Sequence, residues 1–417
     1  MSKKIQAPRG TYDVLPEAAD ARVGVEAIAR RVLEGAGYRR IETPTFEATE
    51  LFARGVGAST DIVQKEMYSF DDGGGRSVTL RPEGTAPICR AYVEHGMHKL
   101  PAPVKLWYLS SFFRAEKPQA GRYRQFWQIG AEALGSDDPA VDAETILLLA
   151  NLLKELEVGG LRLRLGSLGT PATRSAYRDE LQAYLRAHEG ELSDDVRARI
   201  DLNPLRAFDS DHPGTQAVMA GAPLLLDALD ADDAEHFADV RSLLDRAEVA
   251  YEVDPKLVRG IDYYTRTVFE FTSDALGAQS GVGGGGRYDA LVEELGGPPT
   301  PGCGWAAGIE RILLAGPDQR AAARPVDLYI AFDAGGEHRA AAFAIAAEAR
   351  DARMHAQMEL AGRSRKGQLK QGDRLGARYV AIVGDGGTVL KDMQSGEQKG
   401  VEAAEVVTRI LRERGMS

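Results

Sequence analysis

Cysteine is nearly absent: Cys89 and Cys303 are the only two in 417 residues, far apart, with no CxxC pair and no histidine cluster beside either. That argues against a disulfide framework and against a structural zinc site. No apolar run approaches a membrane span, and the opening MSKKIQAPRGTYDVLP lacks the apolar centre of a signal peptide, so a cytoplasmic protein without a membrane partner is expected. An excess of positive charge is missing too. A net charge of −11 favours solubility and disfavours a general nucleic-acid coat, so any nucleic-acid partner must meet local basic patches. There is no internal repeat and no low-complexity tract beyond the four glycines 283–286. What is present, 44% hydrophobic and 27% charged residues, is ordinary for a globular chain. The length exceeds what one core serves and predicts two or three domains.

Apolar residues at helical spacing predict a helix over 16–37, and Arg39–Phe46 reads as a strand broken by Pro44 at a sheet edge. Short strand-like runs follow at 66–70, 77–80, 104–109, 111–114 and 124–133, then a helix at 139–156 and a strand at 161–165. From Thr170 to about Tyr251 helical spacing and acidic stretches dominate, which reads as a separate helical insertion. Strand texture returns at 268–272 and 304–307, on either side of the glycine run, and a helix begins near 308–311. Past a linker at 321–325, strands (326–332, 354–360, 379–383, 389–392) alternate with helices (337–352, 366–375, 401–413), the pattern of a small α/β domain.

The segment from Phe112 to Gln128 reads as two strand-like halves around a loop carrying Arg114, Lys117, Arg122 and Arg124. Guanidinium forks fit phosphate oxygens, so such a hairpin suits a polyphosphate; a solvated hairpin with surface charges is the plain alternative. The run Gly281–Gly286 satisfies GxGxxG, but a glycine tract does so trivially. The surrounding chain lacks the repeated parallel βαβ units of a dinucleotide fold. Glycine here serves close approach of backbone to a ligand, or positive φ.

Phe113-Arg114-Ala115-Glu116 resembles motif 2 of class II aminoacyl-tRNA synthetases, Gly308-Ile309-Glu310-Arg311 is similar to their motif 3, and Arg40–Phe46 with Pro44 resembles motif 1, which lies at the dimer interface in that class. Leu257–Tyr264 and Gly283–Asp289 are similar to the two histidine-specific motifs of the histidyl-tRNA synthetase family, and Arg81-Pro82-Glu83-Gly84-Thr85 matches its substrate-binding turn. Asn203-Pro204-Leu205-Arg206 and Leu390-Lys391-Asp392-Met393 extend the resemblance over essentially the whole chain. It implies an α+β fold: a class II antiparallel-sheet catalytic core in two parts (1–169 and 253–322), a helical insertion (170–252) and a C-terminal α/β anticodon-binding domain (326–417). It also implies a homodimer that activates L-histidine with ATP and transfers it to tRNA(His).

Roles carried over by the resemblance give Arg114 and Arg259 the catalytic positions. Arg114 would grip the α-phosphate and the histidine carboxylate; Arg259 would approach from the opposite side, where other class II enzymes often use a metal ion. Arg311 and Phe126 would sandwich adenine, Arg122 would meet the γ-phosphate and Glu116 completes the ATP set. Magnesium would enter with ATP rather than occupy a protein cage. Glu83, Thr85 and Gln128 would hold the α-ammonium, Glu132 and Tyr264 the two ring nitrogens, with Tyr263 and Tyr288 against the substrate. Ordinary salt bridging of Glu83 and Glu132 to Arg81, Arg114 or Arg259 is the alternative. One departure stands out: Trp127 occupies a position where the commoner family pattern has histidine, and strand alternation turns it to the face away from Phe126 and Gln128.

For tRNA, Lys117 and Gln119 are candidates to touch the acceptor end. Arg363, Arg365, Lys366, Lys370, Arg374 and Arg378 crowd one stretch of the terminal domain, either as a phosphate-facing patch or as a solvated helix face. Two rivals remain. A non-catalytic, synthetase-like regulatory paralogue generally lacks the terminal domain and parts of the ATP set, whereas Arg114, Arg259, Arg311 and that domain are present here. A synthetase for another amino acid is opposed by the segment 259–264 and by Glu132.

Overall fold

Pro16 fixes the first turn of α1 (Pro16–Gly35), and its buried residues Ala21, Val25, Ala29 and Leu33 recur every fourth position as one stripe. The structure, a computed structural model, describes residues 4–57, 60–257, 260–277, 280–317 and 325–414. Pro44 separates two strands rather than breaking one: β1 (Arg39–Arg40) and β2 (Phe46–Ala48) enter different sheets. Next come α2 (Thr49–Gly55), β3 (Tyr68–Asp71) and β4 (Ser77–Leu80), and β2, β4 and β3 form a three-stranded antiparallel sheet in that order. The expected turn at 81–85 leads straight into a helix, α3 (Thr85–Glu94), which Glu83 caps by accepting from the Thr85 and Ala86 N–H groups.

The two runs expected at 104–109 and 111–114 are one unbroken strand, β5 (Val104–Phe113), and Arg114 lies just past its end. It pairs with β6 (Gln125–Leu134), followed by α4 (Pro139–Glu155), which Asp138 caps. Then come β7 (Leu161–Ser167), α5 (Pro171–Ala187), α6 (Asp194–Arg199), α7 (Pro213–Met219), α8 (Ala231–Arg246), β8 (Glu252–Val253) and β9 (Thr265–Ser273). The glycine run is itself a strand, β10 (Gly281–Arg287); α9 (Leu291–Glu294), β11 (Gly302–Gly308) and α10 (Ile309–Ala315) complete this part. The main sheet runs β1-β5-β6-β11-β10-β9-β7-β8, antiparallel through its centre with a parallel pair at each edge. β10 has antiparallel neighbours on both sides, which removes any dinucleotide reading of its glycines.

Strand alternation splits the core in two. Trp107, Ile129, Leu165, Phe269 and Trp305 pack with the stripe of α1, with Ile146 and Leu149 of α4, and with Phe237, Val240 and Leu244 of α8. Tyr108, Phe112 and Val268 face the other way, toward Ile88 of α3 and Tyr177, Leu181 and Leu185 of α5. Close sheet geometry demands glycine at two points: a Cβ at Gly285 would overlap the Gly304 carbonyl, and one at Gly304 would overlap the Glu132 carboxyl.

The acidic stretches of 170–252 have structural uses. Asp230 caps α8, and the fully buried Asp233 accepts from the Thr170 N–H at 2.7 Å, from the Thr173 hydroxyl at 2.7 Å and from Arg266 Nε at 2.8 Å. A second buried pair joins distant parts of the chain. Arg287, at the end of β10, meets Asp142 of α4, and both are fully buried. Its remaining donors reach the Ser136 and Asp138 carbonyls and Asp289.

By contact density the chain divides into two compact units, Met1–Gln319 and Arg320–Ser417. The second holds β12 (Leu328–Phe332), α11 (Gly336–Asp351), β13 (Ala356–Met358), α12 (Arg365–Arg374), β14 (Tyr379–Gly384), β15 (Gly387–Asp392), β16 (Gln398–Val401) and α13 (Val406–Glu413). Its sheet order is β13-β12-β14-β15-β16, parallel on one side and antiparallel on the other. The expected helix over 401–413 is shorter at its start, because 398–401 extends the sheet.

Candidate active site

The β5–β6 hairpin sets the site. Phe113 pairs with Gln125, and the loop between them closes on itself where Gln119 and Arg122 exchange backbone hydrogen bonds. Glu310, first turn of α10, locks the hairpin from beneath: its carboxylate accepts from the Trp127 N–H at 3.0 Å, the Tyr12 hydroxyl at 2.9 Å and Arg22 at 2.6 Å. Trp127 points to this side, with the Arg22 guanidinium 5.5 Å from its ring centre, as strand alternation requires.

Phe126, turned the other way from Trp127, lines a cavity of about 380 Å³ whose walls also include Arg114, Arg122, Arg311, Glu116, Glu270 and Glu310. The Arg114 guanidinium stands 5.3 Å from the Phe126 ring centre, and its Nε donates to the Pro82 carbonyl at 2.9 Å. Arg311 donates to the carbonyls of Gly121 and Gly281, joining the hairpin loop to the glycine strand. Burial and the neighbouring Arg122 lower the Arg311 pKa, but a guanidinium stays charged. Arg122 pairs with Glu116 at 3.4 Å. Flat cations, an aromatic face and carboxylates in one hollow suit a base bearing phosphates.

A second cavity of about 180 Å³ adjoins the first and shares Arg114 and Gln128 with it. Glu83, Thr85, Tyr108, Tyr263, Tyr264 and Tyr288 line it. Tyr263 packs edge-on against both other motif tyrosines, with ring centres 4.8 Å and 5.6 Å apart. Among the described residues the Gln128 Oε1 and the Tyr108 hydroxyl are buried without a hydrogen-bond partner, so the pocket offers polar atoms to a polar ligand. Burial raises the Glu83 pKa, opposed by the two backbone N–H groups it caps and by Arg114.

Glu132 stands behind this pocket, fully buried, accepting from Thr85 Oγ1 at 2.8 Å and from the Tyr288 hydroxyl. Burial pushes its pKa up to about 8, so it is largely the neutral acid at pH 7. Among the described residues neither Glu83 nor Glu132 has a salt-bridge partner, and Arg259, one of the alternatives, lies outside them.

Arg114, Glu116, Arg122, Phe126 and Arg311 thus share one cavity, and Glu83, Thr85, Gln128, Tyr263, Tyr264 and Tyr288 share the other. Arg259 lies outside the described residues. Lys117 and Gln119 are exposed on the hairpin loop. In the C-terminal unit the basic cluster is narrower than its sequence: Arg363 pairs with Glu359, Arg365 with Asp333 and Arg378 with Asp392. Lys366, Lys370 and Arg374, four residues apart on α12, remain exposed, with no ion-pair partner among the described residues. Sequence reasoning missed Tyr108 and Glu270 as wall residues. Tyr108 carried a usable signal, since it sits an even number of strand positions from Phe112 and so shares its face.

A family model described as histidyl-tRNA synthetase matches residues 10–312. A histidine–tRNA ligase of Halorhodospira halophila is 50% identical over 411 residues, covering 95% of this chain and 96% of that protein. One from Desulfitobacterium hafniense is 47% identical over 403 residues, covering 94% and 95%. Among solved structures, apo histidyl-tRNA synthetase from S. aureus superimposes with a TM-score of 0.81 at 34% identity, covering 98% of this chain and 100% of that one. With two confluent cavities built from the motif segments and likeness along nearly its full length, the chain belongs to the histidyl-tRNA synthetase family.

Proposed function

We propose that this chain is a histidine–tRNA ligase that forms histidyl-adenylate from ATP and L-histidine and then esterifies tRNA(His). The carrying observation is the pair of joined cavities, one cationic and aromatic, one tyrosine-lined, meeting at Arg114 and Gln128. The histidine carboxylate must reach the α-phosphorus of ATP, and the meeting point is where both ligands would touch. Adenylation joins two anions and builds charge on phosphoryl oxygens, so fixed cations do most of the catalysis.

Arg114 neutralises the α-phosphate and orients the carboxylate; Arg259 is assigned the opposite side of the phosphorus. Adenine stacks between Phe126 and Arg311, which requires the Arg114 guanidinium to leave the Phe126 face for the phosphate. Arg122 takes the γ-phosphate. Glu116 and Glu270 are oxygen donors on the same wall, chemically suited to magnesium arriving with ATP, which supplies neutralisation of the outer phosphates. In the second cavity Glu83, Thr85 and Gln128 receive the α-ammonium, Tyr264 and Glu132 select the imidazole, and Tyr263 and Tyr288 enclose it. Buried polar partners of this kind reject analogues that cannot satisfy them by roughly 10⁴–10⁵.

The tRNA acceptor end is assigned to Lys117 and Gln119, and the anticodon side to Lys366 and Lys370, with Arg363 and Arg365 freed from their carboxylates on binding. A homodimer is supported by Phe46 and Phe70, exposed neighbours 6.3 Å apart on the three-stranded sheet beside the motif 1-like segment. No described helix is long and apolar enough to cross a membrane; a cytoplasmic site of action goes with the reading as a ligase. The test is ATP–pyrophosphate exchange with each of the twenty amino acids separately. Exchange with histidine alone is expected. Histidine binding without exchange would make the chain a regulatory paralogue, and exchange with another amino acid would overturn the pocket assignment.

A further inference from the structure

Tyr263 and Tyr264 stand on a short loop, and much of what grips that loop comes from 170–252. Arg174, in the first turn of α5, donates through Nη1 to the Tyr264 carbonyl at 2.6 Å. Asn203, first residue of the segment Asn203-Pro204-Leu205-Arg206, donates from Nδ2 to Asp262 Oδ1 at 3.4 Å. Arg206 closes over the same loop: a Cβ at Gly260 would lie 3.9 Å from its guanidinium. From the other side the Asp262 N–H donates to the Val56 carbonyl at 3.2 Å, at the end of α2. Behind the loop lies an open groove of about 380 Å³, bordered by Arg174, Arg178, Asn203, Ile261 and Asp262. The two tyrosine rings are packed into the core, but the backbone that carries them faces open space on this side, so directed bonds to that backbone decide where the rings sit.

We infer that Arg174 and Asn203 are positioning residues for amino-acid activation: through the Tyr264 carbonyl and Asp262 they hold the pocket tyrosines in register with the glycine strand. The inference rests on the proposed reading of the tyrosine-lined cavity. Arg174 borders neither cavity of the site, so it acts only through the loop. Tyr264 has little freedom to drift, because a Cβ at Gly286 would come within 3.0 Å of its ring. A small displacement of its backbone therefore either lifts the ring from β10 or tilts its hydroxyl away from the substrate. The residues 170–252 thereby set the affinity of the amino-acid pocket, a role distinct from any contact they make with tRNA.

The test uses the full-length chain as wild type, Arg174→Met, Arg174→Lys and Asn203→Ala, in ATP–pyrophosphate exchange with histidine and ATP varied separately, alongside the melting temperature. Losing a charged donor from a partly buried carbonyl is expected to raise the histidine KM about 10-fold or more in Arg174→Met, with the ATP KM held within about twofold. Arg174→Lys, which keeps one donor, should recover part of that loss, and Asn203→Ala should show a smaller rise in the same direction. An unchanged histidine KM in Arg174→Met overturns the inference. So does an equal rise in both KM values with a lowered melting temperature that Arg174→Lys fails to repair. Should Arg174→Met not fold, Arg174→Lys and Asn203→Ala decide, and an unchanged histidine KM in both is fatal. Wild-type chain without histidine-dependent exchange defeats the functional reading itself and takes this inference with it.

Discussion

Arg114 reports its function and Glu132 its environment, and the two differ in how far the sequence announced them. Arg114 was legible in its place on the cavity wall from the motif it sits in, since the charges of the hairpin alone fit a solvated loop equally well. Its replacement by Ala is expected to slow histidine-dependent exchange by about 10²–10³, the usual loss for one preorganised donor to a developing anion; single-turnover adenylate formation would measure it. Glu132 was expected in the pocket wall but stands behind it, fully buried, and only that burial reveals a raised pKa. The hydroxyls of Thr85 and Tyr288 both donate to it and oppose the rise, but burial outweighs them. Because its folded pKa is about 8 against an ordinary 4.5, the native state keeps a proton that the unfolded chain releases between those values. Its contribution is full below about pH 4.5 and lost as pH rises through about 8, at most on the order of 5 kcal/mol. Melting temperatures from about pH 5 to 8.5 should therefore fall more steeply for wild type than for Glu132→Gln. Parallel curves would mean that the native carboxyl is charged.

Among elements, the strand built from Gly281–Arg287 was the least readable, because glycine is depleted from strands and its use here is visible only against β11. α3 was hidden for a related reason: Pro82 and Gly84 look like turn residues, and only the Glu83 side chain turning onto the helix start shows why they precede it. The alternating strands and helices of 326–413 were readable almost throughout, since each element there buries one face at its own period. Nothing in the sequence marked Arg287 and Asp142 as a buried pair, because charges are expected outside. Asp142→Ala strands the Arg287 charge and is expected to destabilise the first unit by about 3–5 kcal/mol in urea unfolding. Asp194→Ala, at an exposed surface pair, should leave the midpoint unchanged. Equal midpoints would show that the buried pair is dispensable.

On the whole molecule, the two compact units carry separate cores, so under the proposed function amino-acid activation and tRNA recognition by the second unit should separate experimentally. Reversing Lys366, Lys370 and Arg374 together to Glu is expected to weaken tRNA charging at least about 10-fold and flatten its salt dependence, because phosphate contacts dominate such affinity. Histidine-dependent exchange should stay at the wild-type rate. Loss of both steps together would make the α12 stripe structural instead.

The order of strands in the main sheet has a bearing on biosynthesis. β6 is flanked by β5, its immediate neighbour in sequence, and by β11, which begins at Gly302; β7 takes β9 across the whole of 170–252. A nascent chain emerging from the ribosome would hold β5 and β6 as a hairpin with one unpaired edge until roughly the first 308 residues are out. At about 5–20 residues per second, that edge waits on the order of ten seconds or more. A long exposed hydrogen-bonding edge is a template for another chain. Yield on overexpression should then depend on how crowded neighbouring nascent chains are and on chaperones that cover the open hairpin, even though the finished sheet pairs that strand on both sides from Gln128 to Leu134.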